Sequence, residues 1–301
     1  MTNIAKTFTQ KMTAKVDVKY NESMAEYTTF KVGGAADIIV FPKNLDELLE
    51  VLGICRGEQL PYFVLGCGSN VLIKDDGLRG VVISFKRLSD TKQLEESKIE
   101  AQGGVFMREL SLFAYSLGLS GLEFAHGIPG SVGGGVYMNA GAYDGEISKT
   151  LSKATLIDKS GRVFLADNEQ MEFGYRTSLA QKEDCIVYSA TFELEAKNKN
   201  EIYAKMEELY TKRTSKQPLE YPSAGSTFKR PPGHFAGKLI MDAGLGGHSI
   251  GGAMVSSKHC GFVINTGSAT CADILSLIEH IQQEIWRQFG VKLEREVKIL
   301  E

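Results

Sequence analysis

The sequence predicts an α+β protein of about two domains, in which short strands and amphipathic helices surround two glycine-rich loops. Hydrophobic periodicity switches repeatedly between short β-type runs and helical stripes. A first glycine cluster, Gly66-Cys67-Gly68-Ser69-Asn70, lies between the strand-like runs Pro61–Leu65 and Val71–Ile73. A dinucleotide fold of the GxGxxG type requires a helix after this loop and a third glycine where Val71 stands, so the cluster joins strand to strand. A second stretch, His126 to Gly141 (HGIPGSVGGGVYMNAG), holds six glycines in sixteen residues, and only His126 can carry charge. Both loops offer main-chain N–H groups that a ligand can approach without meeting a Cβ.

The elements follow in order. Residues up to about Asn21 are polar and weakly patterned, which suits a surface helix. Ile38–Phe41 reads as a strand stopped by Pro42. Asn44 then caps a helix with Glu47 three residues on, and Leu45, Leu48, Leu49, Leu52 and Cys55 form its buried stripe. Val81–Phe85 and Ile99–Gln102 are short strands. Met107, Leu110, Phe113, Ala114 and Leu117 make a helical stripe over 105–117, with Gly118 at the C′ position. After the second glycine stretch, Asp158-Lys159-Ser160-Gly161 turns a hairpin within Ala154–Ala166, and Cys185–Leu194 is a strand. Ile202, Met206 and Leu209 line a helix over 201–213 with basic residues at its C-terminal end. Gln217-Pro218 and Tyr221-Pro222 form an extended connector to the second domain. Phe235–Gly244 suggests a short helix. Thr270 and Asp273 form a capping box for a helix with the stripe Ile274, Leu277, Ile278, Ile281 and Ile285, closed by Gly290. The alternating run Val291–Leu300 reads as one final strand.

Composition narrows the function classes. Hydrophobic residues make up 43% and charged residues 24% of the 301, as in ordinary globular proteins, while 32 glycines exceed the usual share of about 7%. With 34 basic and 37 acidic residues the net charge is −3, and no basic stripe interleaved with aromatics appears, which argues against nucleic acid. Cys55, Cys67, Cys185, Cys260 and Cys271 are scattered and never spaced as CxxC, so neither a disulfide framework nor a zinc site is indicated. The five histidines show no HExxH spacing, and no metal is expected. MTNIAKTFTQKM lacks a signal-peptide core and no apolar run approaches the ~18 residues of a membrane span, so a cytoplasmic location is expected, with no membrane insertion and no obligate protein partner evident.

Each candidate site residue has an ordinary reading beside the functional one. The second glycine stretch suits either a tight loop or a phosphate cradle, with the apolar run from Val136 to Ala142 beginning a short helix behind it. The first cluster suits a polar-tipped hairpin or a pyrophosphate loop. Arg176, in Phe173-Gly174-Tyr175-Arg176-Thr177-Ser178, reads by default as a surface arginine. Ser223-Ala224-Gly225-Ser226-Thr227-Phe228-Lys229-Arg230 is either a turn or a loop that holds a diphosphate and presents a hydroxyl. Glu296, beside Glu294 and Lys298, reads as part of a solvated charged face.

Taken together, GCGSN, GIPGSVGG with MNAGAY, GYRTS, SAGSTFK and EREV occur in an order and at separations that resemble the UDP-N-acetylenolpyruvoylglucosamine reductases, from about Phe30 to the C-terminus. The resemblance implies a vanillyl-alcohol-oxidase (PCMH) type FAD-binding domain over 1–215, made of two α/β subdomains split near 85–100. It further implies a smaller α+β substrate-binding domain over 216–290 and a C-terminal strand, 291–301, returning to the active site. FAD, bound non-covalently, is then held by Gly66, Gly68, Ser69, Asn70 and Val71, by Gly127, Ile128, Pro129, Gly130, Ser131, Gly133 and Gly134, and by Asn139, Ala140 and Gly141. NADPH is the hydride-donating cosubstrate, and the enolpyruvyl ether of a UDP-sugar is the substrate. Hydride addition to the alkene builds negative charge toward the substrate carboxylate, which Arg176 matches as the stabilising cation and Glu296 as its acidic partner. Ser226 matches the proton donor and Lys229 a residue binding the diphosphate. The short segment after Tyr175 resembles the subclass without an inserted tyrosine loop, and Asp144 stands where relatives often have glycine. An oxygen-reacting oxidase of the same fold, or a UDP-sugar-binding module without catalysis, are the alternatives.

Overall fold

Ala35–Phe41 and Leu78–Ser84 are buried almost throughout, the pattern of strands covered on both faces. In the computed structural model, which describes residues 2–301, they are the two central strands of a four-stranded sheet. Asp17–Ser23 flanks one and Tyr62–Leu65 pairs parallel with the other. Contacts divide the chain into two compact units. The first runs up to Lys19 and includes Ile38–Cys67 and Gly80–Arg213; the second takes Tyr20–Asp37, Gly68–Arg79 and Thr214–Glu301. The segments 20–37 and 68–79, read above with the N-terminal domain, join the second unit because Val71–Ile73 pairs parallel with Lys298–Leu300 and Phe30, Val32 and Leu72 enter its core.

The first unit has two hydrophobic cores. One gathers Phe8 of helix α1 (Asn3–Lys11), Ile38, Val40, Val81 and Ile83, and the buried face of helix α2 (Leu45–Gly57), which consists of Leu48, Val51, Leu52 and Cys55. The Asn44 side chain accepts from Glu47 N–H at 2.9 Å while the Glu47 carboxylate accepts from Lys43 N–H, so the cap expected from sequence fixes where α2 starts. The other core lies between a five-stranded antiparallel sheet and helices α3 (Met107–Ser116) and α4 (Val132–Tyr137). The sheet order is Val163–Asp167, Leu151–Ile157, Ile186–Glu193, Lys98–Gln102, Thr91–Glu95. Its edge strand, TKQLE, was not legible in the sequence, because an exposed, charged edge has no apolar alternation to show. Helix α5 (Leu179–Lys182) and helix α6 (Lys199–Lys216) complete the unit's helices, the latter burying Ile202, Met206 and Leu209.

The second unit packs helix α7 (Ala236–Asp242) and helix α8 (Cys271–Phe289) with a three-stranded antiparallel sheet of Ser249–Ile250, Ala253–Val255 and Val263–Asn265. The Thr270–Asp273 capping box forms as expected and Gly290 takes φ 64°, so both ends of α8 are set by local chemistry.

Two expectations change. The helix beside the second glycine stretch covers Val132–Tyr137 and does not start at Val136; Ser131 caps it, and its three consecutive glycines hid a helix that tertiary packing stabilises. The final strand is confined to Lys298–Leu300, because the segment before it pairs elsewhere: Arg295 forms an isolated bridge with Phe228. Among the described residues no helix is long and apolar enough to cross a membrane, and no cluster of three or more His, Cys, Asp or Glu side chains is arranged to hold a metal ion.

Candidate functional site

Within the first unit the start of one glycine loop lies against the turn of the other. A Cβ built on Gly66 would stand 2.1 Å from Ser131 Oγ, so no side chain fits there without displacing Ser131. Ser131 is 3% exposed, and its hydroxyl also accepts from Gly134 N–H at 3.4 Å. Three main-chain bonds strap the second loop down: Met107 N–H to Gly130 O, Val132 N–H to Val105 O and Gly133 N–H to Gly103 O, each 2.8 Å. The strap requires Gly103 and Gly104, since a Cβ on Gly104 would come within 1.8 Å of Phe85 O. This glycine pair ends a strand and carried no motif, so sequence reasoning passed over it. Among the described residues, the amides of Gly66, Cys67, Gly130 and Ser131 donate to no protein acceptor. Unpartnered N–H groups on a surface free of Cβ atoms suit a phosphate or diphosphate. Burial pushes the Cys67 thiol up to about 12, which leaves it protonated at neutral pH and unfit as a nucleophile.

The residues predicted to bind through the second loop divide by role. The Gly133 amide is spent on Gly103, and a Cβ on Gly135 would meet Met107 Sδ at 2.9 Å, so these glycines serve the close approach of α4 to its neighbours. Ile128 N–H donates to Ala125 O at 3.0 Å, and Pro129 is exposed. Asn139, 3% exposed with φ 43°, donates its amide to Gly174 O at 3.1 Å and accepts from Ser148 N–H at 3.0 Å. Ala140 N–H donates to Gly135 O, and Gly141 pairs with Glu146. Tyr143 and Asp144 both have positive φ, so Asp144 keeps the conformation that glycine favours.

Asn139 thereby holds the turn that carries Arg176. Gly174 and Thr177 exchange N–H···O bonds of 3.1 and 3.3 Å, leaving Tyr175 and Arg176 at the tip. Arg176 sits at φ 57°, a conformation that costs an arginine about 1 kcal/mol. The surroundings impose it: Ser178 Oγ donates to Tyr137 O at 2.8 Å on one side while Asn139 grips Gly174 on the other. The Arg176 guanidinium stands 5.1 Å over the Tyr175 ring and is partly exposed.

Within the second unit, two motifs about seventy residues apart in the chain lie side by side. Glu296 N–H donates to Thr227 O at 2.9 Å and Lys229 N–H to Glu294 O at 2.8 Å, around the Phe228–Arg295 bridge. Thr227 is pinned from the other side as well, by its N–H to Gly261 O at 2.9 Å and by its hydroxyl, which accepts from Val263 N–H at 3.0 Å. Ser226, the residue before it, is exposed and follows Gly225 at φ 74°. Asn70 joins the group, donating its side-chain amide to Glu296 O at 3.2 Å, and Val71 begins the strand paired with Lys298–Leu300. Gly68 is required where it stands: its φ is 63°, and a Cβ would meet Tyr27 O at 2.2 Å. Ser69 is the half-buried tip residue. Lys229 forms an ion pair with Glu294, whose carboxyl it holds below the usual range.

A family model described as an FAD binding domain matches residues 36–167, and one described as the C-terminal domain of UDP-N-acetylenolpyruvoylglucosamine reductase matches 217–300. A UDP-N-acetylenolpyruvoylglucosamine reductase of Clostridium botulinum strain Eklund 17B is 50% identical over 280 residues, 93% of this chain and 92% of that one. Its counterpart in strain Hall is 51% identical over 284 residues, 94% of this chain and 92% of its own. The crystal structure of the Thermus caldophilus enzyme superposes with a TM-score of 0.80 at 33% identity, covering 95% of this chain and 99% of that one. With its FAD-binding domain of the vanillyl-alcohol-oxidase type and its own C-terminal domain, the chain belongs to the UDP-N-acetylenolpyruvoylglucosamine reductase family, and is an oxidoreductase.

Proposed function

We propose that this protein reduces the enolpyruvyl ether of UDP-N-acetylglucosamine to UDP-N-acetylmuramate, using NADPH, in the cytoplasmic synthesis of peptidoglycan precursors. Non-covalent FAD, when bound, supplies the two-electron carrier between nicotinamide and substrate. Its pyrophosphate is assigned to the amides of Gly66, Cys67, Gly130 and Ser131, with Gly68, Ser69 and Asn70 continuing the first loop. The observation that supports the chemical reading is the pairing of Thr227–Lys229 with Glu294–Glu296, which brings the segment that directly follows the exposed Ser226 beside the segment that carries Glu296.

The residues take distinct tasks. The net reaction adds a hydride to the terminal alkene carbon and a proton to the carbon beside the carboxylate, so negative charge accumulates on the carboxylate between the two events. Arg176, held in a strained turn, is assigned to that charge, because a fixed cation needs no reorganisation as the charge grows. Glu296 shares a proton beside the carboxylate. Ser226 delivers the proton to carbon; as a weak acid it requires neighbouring positive charge or a relay to do so. Lys229, once released from Glu294, is assigned to the substrate diphosphate.

An absorbance spectrum of the purified protein tests the reading, followed anaerobically by NADPH and then by the enolpyruvyl UDP-sugar. Flavin that bleaches with NADPH and recovers its colour on adding substrate without oxygen is the expected result. Recovery only in air points to an oxidase, and a protein that takes up no FAD overturns the flavin reading.

A further inference from the structure

Backbone pairing sets Lys229 and Glu294 against one another. Lys229 N–H donates to Glu294 O at 2.8 Å beside the Phe228–Arg295 bridge, so the two residues stand opposite in the paired segments and their side chains leave on the same face. The Lys229 ammonium group donates to Glu294 Oε1 at 2.5 Å. Among the described residues Lys229 pairs with no other carboxylate. Glu294 has more choice. The Lys229 hydrogen bond foremost, then the charges of Lys229, Lys298 and Lys292, hold its carboxyl below the usual range, so it is an anion at neutral pH.

The two partners differ in how they are held. The Lys229 side chain is 24% exposed and the Glu294 side chain 71%. The protein therefore fixes the cation, while the carboxylate stands in solvent and can swing away. An ion pair with one partner so exposed adds little to stability, because water screens it and two long side chains lose freedom in forming it. Its consequence lies in binding: a fixed cation three residues from Ser226 already carries an anion where the substrate diphosphate is assigned.

We propose that Glu294 is a latch on Lys229: its carboxylate holds the ammonium group in the unliganded protein, and the diphosphate of the UDP-sugar displaces it toward Lys298 and Lys292. The inference rests on the assignment of Lys229 made above. The exchange leaves no charge stranded, since the displaced carboxylate keeps two cations near it. Its cost falls on affinity. A diphosphate attached away from the alkene is bound alike in substrate, transition state and product, so stronger binding there lowers KM without raising kcat and slows the departure of product. A competing carboxylate built into the site weakens substrate and product equally and keeps release fast.

The test titrates UDP-N-acetylglucosamine into the holoenzyme of wild type, Glu294→Gln, Lys229→Met and the double variant. Glutamine keeps the shape and removes the charge, so Glu294→Gln binds about three- to tenfold more tightly than wild type. Lys229→Met binds more weakly, and adding Glu294→Gln to it brings no gain, because the latch has nothing left to hold. Turnover supplies a second readout: in Glu294→Gln, KM falls and inhibition by UDP-N-acetylmuramate strengthens by a similar factor. A pair that merely braced the frame would leave affinity unchanged or lower it on losing Glu294, and either result overturns the latch. So does an equal gain in the Lys229→Met background, which would report a general relief of negative charge. Wild type that binds no UDP-sugar removes the substrate assignment itself. Inorganic pyrophosphate titrated into the same four proteins then decides the latch alone: tighter binding in Glu294→Gln that requires Lys229 upholds it, and any other result overturns it.

Discussion

The two units carry their candidate site residues in opposite ways. The first presents main chain: Gly66, Gly103 and Gly104 exist as glycine because a Cβ at each would strike Ser131 Oγ, Val187 O or Phe85 O, and the resulting surface offers amides. The second presents side chains: Ser226 directly precedes, and Glu296 lies in, two segments paired through backbone bonds of 2.8 to 2.9 Å. Where main chain binds, substitution acts by adding atoms. Where side chains react, substitution acts by removing function while the frame stays intact. The two failure modes are separable by measuring cofactor affinity and half-reaction rates on the same variant.

The largest expected effect falls on the side-chain half. Ser226→Ala should leave flavin reduction by NADPH close to wild type and slow reoxidation by substrate by about 10²–10⁴-fold, the usual contribution of a positioned acid. Glu296→Gln and Arg176→Ala should slow the same half-reaction. Stopped-flow absorbance resolves the two halves, and a Ser226→Ala enzyme with both at wild-type rates would remove the hydroxyl as donor.

Gly66→Ala is the counterpart on the main-chain half. The new methyl must push Ser131 Oγ aside from a separation of 2.1 Å, so the expected outcome is a FAD affinity lowered by roughly tenfold or more, with the half-reactions little changed once FAD is saturating. A double variant sharpens the point. Adding Ser131→Gly removes the obstructing hydroxyl, so Gly66→Ala should cost less in that background than alone; a strictly additive pair would show that the collision is not what matters.

What was legible in the sequence divides along a similar line. Asn44, Thr270, Asp273 and Gly290 announced their helix ends because caps are local chemistry, read within four residues. The turn at Asp158 to Gly161 was legible for the same reason. The pairing of Thr227 with Glu296 was not, since nothing within either segment encodes a partner so far along the chain. Gly103 and Gly104 looked like an ordinary break between strand and helix, and only the position of Phe85 O explains them.

Asn139 tests where the two modes meet, since its backbone belongs to the glycine stretch while its side chain supports the Arg176 turn. Asn139→Ala unpairs Ser148 N–H, leaves Gly174 O with only the Thr177 N–H and places alanine at φ 43°, so a loss of about 2 kcal/mol of stability is expected, together with slower reoxidation and a smaller change in FAD affinity. Denaturant unfolding and a FAD titration check it. If FAD affinity collapsed while stability held, Asn139 would be a direct cofactor ligand.

The smallest effect serves as the control for all of these. Asp158 closes a surface hairpin in the first unit, accepting from the Ser160 hydroxyl at 2.5 Å and from Ser160 and Arg162 N–H at 2.9 and 3.0 Å. The Ser160 hydroxyl foremost, then the Arg162 backbone and side chain, hold its carboxyl down to about 2. A carboxyl whose folded pKa is depressed contributes stability above its unfolded pKa of about 3.9 and loses that contribution as pH falls through the folded value. Asp158→Asn keeps an acceptor in the turn and removes the charge. Its melting temperature should therefore lie slightly below wild type at pH 7, and the gap should close between about pH 4 and pH 2. Because none of the candidate site residues lies in this turn, FAD affinity and both half-reactions should stay at wild-type values throughout. A change in either would mean that stability lost anywhere in the first unit reaches the glycine loops, and the effects expected of Gly66 and Asn139 could then no longer be assigned to their own contacts.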